Sequence, residues 1–197
     1  MTSVESRPSL RILREGHIVR DGSRIVDASS TVTAVRSSTG MMIVDTGARS
    51  SRTDLGAALA EAGISPEDVG TVVNTHLHMD HCGCNDVFVN ARFMAHRLEE
   101  PSVETARVEE GSKLAEGVTV LETPGHTLGS ISLLVKSDVD YVICGDALPT
   151  RSNYESLAPP AVHVDRRLAV SSMERIIEAA DIVVPGHDAP FKIMGKK

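Results

Sequence analysis

A chain of 197 residues, 41% hydrophobic and 24% charged, has room for one soluble domain with a sizeable core and too little for two ordinary domains. Its formal net charge of −7 gives no general attraction toward phosphate backbones, and aromatics at 3% with no Trp leave few platforms for stacking bases. The three cysteines, Cys82, Cys84 and Cys144, do not make a disulfide framework; free thiols in a reducing compartment are the simpler reading. Residues 1–14 are polar, without an apolar leader core, and no run approaches the length of a membrane span. We therefore expect a cytoplasmic protein that does not engage a membrane.

Residues 1–9 read as a flexible tail and 10–197 as a single domain. Runs rich in β-branched residues at 10–13, 18–19, 31–35 and 41–44 predict strands of a sheet. Asp45-Thr46-Gly47 then turns the chain. Leu55, Leu59 and Ala62 at helical spacing predict a helix over 53–62, ended by Gly63. Ser65-Pro66-Glu67-Asp68 has the composition of a helix start, with Ser65 as the capping hydroxyl, but only a short turn fits before Gly70. A short strand over 71–74 delivers the chain into Thr75-His76. Further strands are predicted at 118–121, 131–135, 141–144 and 182–184, and a helix at 167–179 through Leu168, Met173 and Ile176 or Ile177. Strands then helix, twice over, suggest an α/β fold with two sheets between helices, an αββα sandwich.

The segment Thr75-His76-Leu77-His78-Met79-Asp80-His81 holds three imidazoles and a carboxylate within six residues. Residues two apart in an extended stretch share a side, so His76 and His78 can grip one metal ion, and a turn can aim Asp80 and His81 at a second. Imidazole with carboxylate suits zinc, and also iron or manganese. A polar surface loop is the competing reading, which four ligand types beside an apolar strand make the weaker one. Further ligand candidates stand at strand-to-loop junctions, each after a glycine that lets the backbone turn tightly: His126 in Pro124-Gly125-His126, Asp146 in Cys144-Gly145-Asp146, and His187 in Pro185-Gly186-His187. Cys82 and Cys84 are read as buried thiols rather than ligands. The segment 148–167 follows Asp146 and carries Arg151, Asn153, Tyr154 and His163, the candidate substrate contacts.

His-x-His-x-Asp-His followed in order by a lone His, a lone Asp and a terminal Gly-His resembles the signature of the metallo-β-lactamase superfamily, over about residues 41–191. Within it, Ile43-Val44-Asp45-Thr46-Gly47, Ser65-Pro66-Glu67-Asp68-Val69 and the run from Ala180 to Phe191 are similar to the subgroup of metallo-β-lactamase domain-containing protein 1 and its short prokaryotic relatives. The resemblance implies that His76, His78 and His126 hold a first metal, Asp80, His81 and His187 a second, that Asp146 bridges them, and that Asp45 braces the histidine loop. It also implies hydrolysis, with nuclease activity among the subgroup's members.

The expected function is a two-metal hydrolase of broad specificity with two divalent ions, zinc first among the candidates. Such a pair, about 3.5–4 Å apart, shares a hydroxide that attacks lactam or ester bonds, or phosphodiesters. Asp80 is expected to orient the nucleophile and accept its proton. The expected substrates are small molecules with a hydrolysable bond (β-lactamase-like activity) and single-stranded nucleic acid; a homodimer is compatible. A mononuclear iron persulfide dioxygenase and a thioester or lactone hydrolase are the alternatives.

Overall fold

The computed structural model describes residues 7–195. The strands are β1 (Ser9–Arg14), β2 (His17–Asp21), β3 (Arg24–Ser29), β4 (Val32–Ser37), β5 (Gly40–Val44), β6 (Val69–Val73), β7 (Arg92–His96), β8 (Ala106–Val108), β9 (Lys113–Ala115), β10 (Val118–Glu122), β11 (Ile131–Lys136), β12 (Asp140–Gly145), β13 (Ile182–Pro185) and β14 (Phe191–Lys192). The helices are α1 (Arg52–Ala62), α2 (Met79–Cys82), α3 (Arg151–Ser156) and α4 (Arg166–Ala179). Two six-stranded sheets run in the orders β1-β4-β5-β6-β7-β8 and β14-β13-β12-β11-β10-β9.

Alternation along the strands builds three apolar layers. Val35, Met42, Val44 and Val73 of the first sheet meet Val120, Leu133, Ile143 and Val184 of the second in the central core. The neighbouring residues Ala34, Ile43 and Val72 face outward and bury Leu55 and Leu59 of α1. On the other side, Val142, Cys144 and Val183 receive Met173 and Ile176 of α4. The order helix, sheet, sheet, helix is the αββα sandwich expected. Each fully buried Leu of α1 contributes roughly 1.5–3 kcal/mol. Among the described residues no helix is long and apolar enough to cross a membrane.

Several local expectations need adjusting. Residues 1–6 of the expected tail lie outside the described residues; Pro8 is buried and Ser9 already opens β1, paired with Arg36. Residues 18–19, expected in a main sheet, stand instead in the separate hairpin β2–β3. Its two-residue turn is Gly22-Ser23, and Gly22 has φ +58°, the left-handed backbone such turns place on glycine. Ser65 does not cap a helix: residues 66–68 form a single 3₁₀ turn, and the Ser65 hydroxyl donates to the Glu67 carboxylate.

Strands β5, β6 and β7 run parallel, as do β12 and β13. The carboxyl ends of β5, β6, β12 and β13 therefore open on one edge of the sandwich, where ligand sites of such sheets form. Asp45, Thr75-His76, Asp146 and His187 leave the sheets there.

Candidate metal centre

His76 and His78 lie in the loop after β6, and the single turn α2 carries Asp80 and His81. His126 comes from the loop after β10, Asp146 from the end of β12 and His187 from the end of β13. The fold brings all seven together. His76, His78 and His126 offer ring nitrogens within 4.8 Å of one another; Asp80, His81 and His187 form a second such group, and His76, His81 and Asp146 a third that joins them. Asp146 turns one oxygen to each side: Oδ1 lies 3.0 Å from His187 Nε2 and 3.3 Å from His81 Nε2, and Oδ2 lies 3.4 Å from His126 Nε2.

The outer nitrogens of His126, His187 and His81 are each held by an acceptor, which points the inner one at the cluster. His126 Nδ1 is 2.7 Å from the Val162 carbonyl. His187 Nδ1 is 3.1 Å from the carbonyls of both His17 and Ser29, the root of the β2–β3 hairpin. His81 Nδ1 is 2.8 Å from Asp45 Oδ2. Asp45 also accepts the backbone N–H and the hydroxyl of Thr75, each at 2.8 Å, and so ties β5 to the start of the histidine loop. Asp45 itself has φ +54°, a left-handed conformation that those three bonds hold in place.

These residues fit divalent metal on direct grounds. His76 Nε2 is a buried polar atom without a hydrogen-bond partner, an expensive state that a cation relieves. His78 Nδ1 faces His126 Nε2 at 3.0 Å and His81 Nε2 faces His187 Nε2 at 3.3 Å, so ring nitrogens converge in pairs. Burial, reinforced by the neighbouring imidazole of His81, holds His76 well below the usual histidine range. Burial also works against charge on His81, but Asp45 and then Asp146 outweigh it and hold that ring well above the range. Burial would raise the Asp146 carboxyl, yet His81 and His187 keep it well below the carboxylate range. Neutral His76 beside ionised Asp146 is the donor state that metals require, and His81 would release its proton when a metal binds.

The glycines before these residues act in different ways. Gly125 has φ +135°, and a Cβ there would stand 2.2 Å from the backbone N of Ala169 in α4. Gly186 has no left-handed backbone; its missing Cβ instead clears Asp146 Oδ1, which it would meet at 2.3 Å. Gly125→Ala is expected to destabilise the protein by about 1–3 kcal/mol or more, because helix backbone cannot step aside. A denaturation midpoint equal to wild type would contradict that packing.

A cleft of about 520 Å³ opens over the cluster. Ile18, Ile25 and Val26 of the hairpin form one wall, Pro160, Ala161 and Val162 another, and His78, Asp80, His126, Asp146 and His187 the floor. The segment expected as a substrate wall does contribute, but through different residues. Arg151, Asn153, Tyr154 and His163 are not among the residues lining the cleft. Arg151 and Tyr154 pack on Phe191, Asn153 holds the carbonyls of Ala158 and Pro159, and His163 Nδ1 is 2.7 Å from the Pro160 carbonyl. Their polarity fixes the segment's shape instead of facing the cleft. The hairpin wall was missed in sequence, although Gly22-Ser23 between the apolar pairs Ile18-Val19 and Ile25-Val26 was a usable turn signal. Glu99, which joins the two loops carrying His76, His78 and His126, gave no such signal.

Fold and donor cluster together define a class, the metal-dependent hydrolases, and comparison with known proteins agrees. The profile of the Metallo-beta-lactamase superfamily matches residues 26–115. A Methanocaldococcus jannaschii protein named probable metallo-hydrolase MJ0296 is 36% identical over 179 residues, covering 91% of this chain and 86% of that protein. Metallo-beta-lactamase domain-containing protein 1 of Xenopus laevis is 30% identical, covering 94% and 82%. An N-acyl homoserine lactonase of a Bacillus species is 32% identical over 151 residues, covering 66% and 60%. The solved structure of a metallo-β-lactamase family member from Thermotoga maritima, 26% identical, superposes over 94% of this chain and 99% of that one with a TM-score of 0.79. The chain belongs to the metallo-β-lactamase superfamily.

Proposed function

We propose that this protein is a dinuclear hydrolase of small carbonyl substrates, lactones or esters that carry an apolar group. The observation that carries this reading is the cleft. An apolar wall of Ile18, Ile25 and Val26 faces a floor of imidazoles and carboxylates, so an apolar group can be buried while a polar bond rests on the floor. The lactonase relative supports the same reaction class.

His76, His78 and His126 would hold one ion, Asp80, His81 and His187 the other, with Asp146 between them. The nitrogen and oxygen donors suit zinc first, and iron or manganese also. Bound, such a pair supplies Lewis acidity, which lowers the pKa of water toward about 7 and polarises a scissile carbonyl. The chain's own residues do the rest. Asp80, whose side chain is 28% exposed against 12% for Asp146, is the more open of the two acids in the cluster, and we assign it to orient the attacking water and take its proton. The hairpin and residues 160–162 exclude bulk water around the reacting bond.

Nucleic acid fits this cleft less well. Arg49 and Arg20 line it, opposed by Asp27, while Arg52, Arg151, Arg166 and Arg167 do not. Arg52 is paired with Asp86 at 2.7 Å.

A substrate panel on zinc-loaded protein tests the proposal, with acylated lactones, aryl esters, thioesters, lactams and single-stranded RNA side by side. Turnover of lactones or esters that His76→Ala combined with His78→Ala abolishes is the expected result. Salt-sensitive RNA cleavage as the sole activity lost in that variant would replace the small-molecule assignment with a nuclease. One iron per chain with oxygen consumption on persulfides would replace hydrolysis altogether.

A further inference from the structure

Glu99 lies outside the ligand cluster, in a 3₁₀ turn after β7, Arg97–Glu99. Its carboxylate is occupied by three donors, none from its own turn. Oε2 accepts the backbone N–H of Leu77 at 2.9 Å, the residue between His76 and His78. Oε1 accepts the Thr127 hydroxyl at 2.6 Å and the Gly129 N–H at 3.1 Å, both in the loop that carries His126. Thr127 is fixed in turn by Ser130, whose Oγ lies 2.7 Å from the Thr127 hydroxyl and accepts its N–H at 3.1 Å. The approach is close: a Cβ on Gly129 would stand 2.6 Å from Glu99 Oε1 and 2.8 Å from the Glu99 backbone N. The turn is anchored from behind, where buried His96 accepts the Leu98 N–H at 3.3 Å and meets Glu122 at 3.1 Å.

One carboxylate thus joins the two separate loops that bear the three imidazoles of a single group, His76, His78 and His126. Asp45 braces the other side, through Thr75 and His81. We propose that Glu99 is a positioning residue that sets the geometry of the His76–His78–His126 group and leaves the Asp80–His81–His187 group largely unaffected. The proposal rests on the reading that these groups hold metal ions. Two of its three donors are backbone N–H groups, which a carboxylate accepts and an amide nitrogen opposes. In Glu99→Gln, either placement of the amide sets its nitrogen against Leu77 N–H or Gly129 N–H, so the isostere is itself disruptive. Loss of an outer partner of a metal ligand lowers affinity by about 10- to 100-fold.

The test titrates metal-free protein with Co(II), reading the visible d–d bands, and measures stepwise dissociation constants for Zn(II) by chelator competition. Wild type, Glu99→Gln, Glu99→Ala and His126→Ala are compared, with a thermal melt of each. In both Glu99 variants one of the two dissociation constants should weaken about 10- to 100-fold, with altered Co(II) bands for that site, while the other stays within threefold. Where Glu99→Ala does not fold, Glu99→Gln carries the test. Two unchanged constants in Glu99→Gln, or equal weakening of both, would overturn the positioning role. A His126→Ala protein that still binds two ions as tightly as wild type would instead overturn the metal reading beneath it.

Discussion

Asp146→Ala is expected to lower kcat/KM by about 100- to 1000-fold on whichever substrate the panel selects, the scale lost with a key electrostatic group. The size follows from its placement. Each carboxylate oxygen faces a different group of imidazoles, Oδ1 toward His81 and His187 and Oδ2 toward His126, so one side chain serves both halves of the centre. Neighbouring histidines hold it ionised against its burial, which keeps a full negative charge where two cations would sit. Removing it would leave those cations to repel each other at a largely buried site, where charge interactions are stronger than in water. Asp146→Asn keeps the shape and removes the charge, and should also fall by at least about tenfold if charge rather than packing is what matters. Metal content should drop below two per chain in Asp146→Ala. Near wild-type rates with two bound metals would show that Asp146 does not stand between them.

Much of the fold was readable because the layers obey a strict period. Val142 and Cys144 face α4 while Ile143 between them faces the central core, and the same switch occurs at Ile43 between Met42 and Val44. Such runs leave the strand assignment little freedom. The very short strands were not readable: β8 (Ala106–Val108) and β9 (Lys113–Ala115) hold three residues each, one of them charged, and owe their structure to the strands beside them. The hairpin β2–β3 was obscured by Arg20, Asp21, Arg24 and Asp27, which break the apolar alternation.

The candidate centre was legible for a related reason. Metal ligands must be particular residue types, and a centre on the edge of a sheet takes them from strand ends, so they cluster in short motifs such as His76-Leu77-His78-Met79-Asp80-His81. Supporting residues obey no such rule. Glu99 is one acid among 27, and its partners Leu77, Thr127 and Gly129 lie 22, 28 and 30 residues away. The four residues offered as substrate contacts stand outside the cleft lining because polarity was the guide. Arg151, Asn153, Tyr154 and His163 spend their polar atoms on loop and helix backbone or on Phe191, while Pro160, Ala161 and Val162 form the cleft wall. A cleft that buries an apolar group is lined by residues that look unremarkable in sequence.

Chelation should lower the melting temperature by about 10 °C or more. The seven candidate ligands come from four separate segments, so an ion held by them ties together parts of the chain that the unfolded state cannot. An ion present at a thousand times its dissociation constant stabilises the folded state by about 4 kcal/mol. A domain near this size loses about 2–4 °C for each kcal/mol, so a single ion at that saturation accounts for about 8–16 °C. The metal-free centre also carries a cost of its own. His76 Nε2 is buried without a partner, and paired ring nitrogens face each other at 3.0 and 3.3 Å. Asp45, the Val162 carbonyl and Glu99 keep the loops in place without metal, so the apo protein should melt cooperatively at the lower temperature and not be unfolded from the start. The measurement is differential scanning calorimetry before and after dialysis against dipicolinate, with elemental analysis of each sample. Restoring zinc should return the original midpoint. An unchanged midpoint in protein confirmed to be metal-free would mean that these seven side chains do not link metal binding to folding.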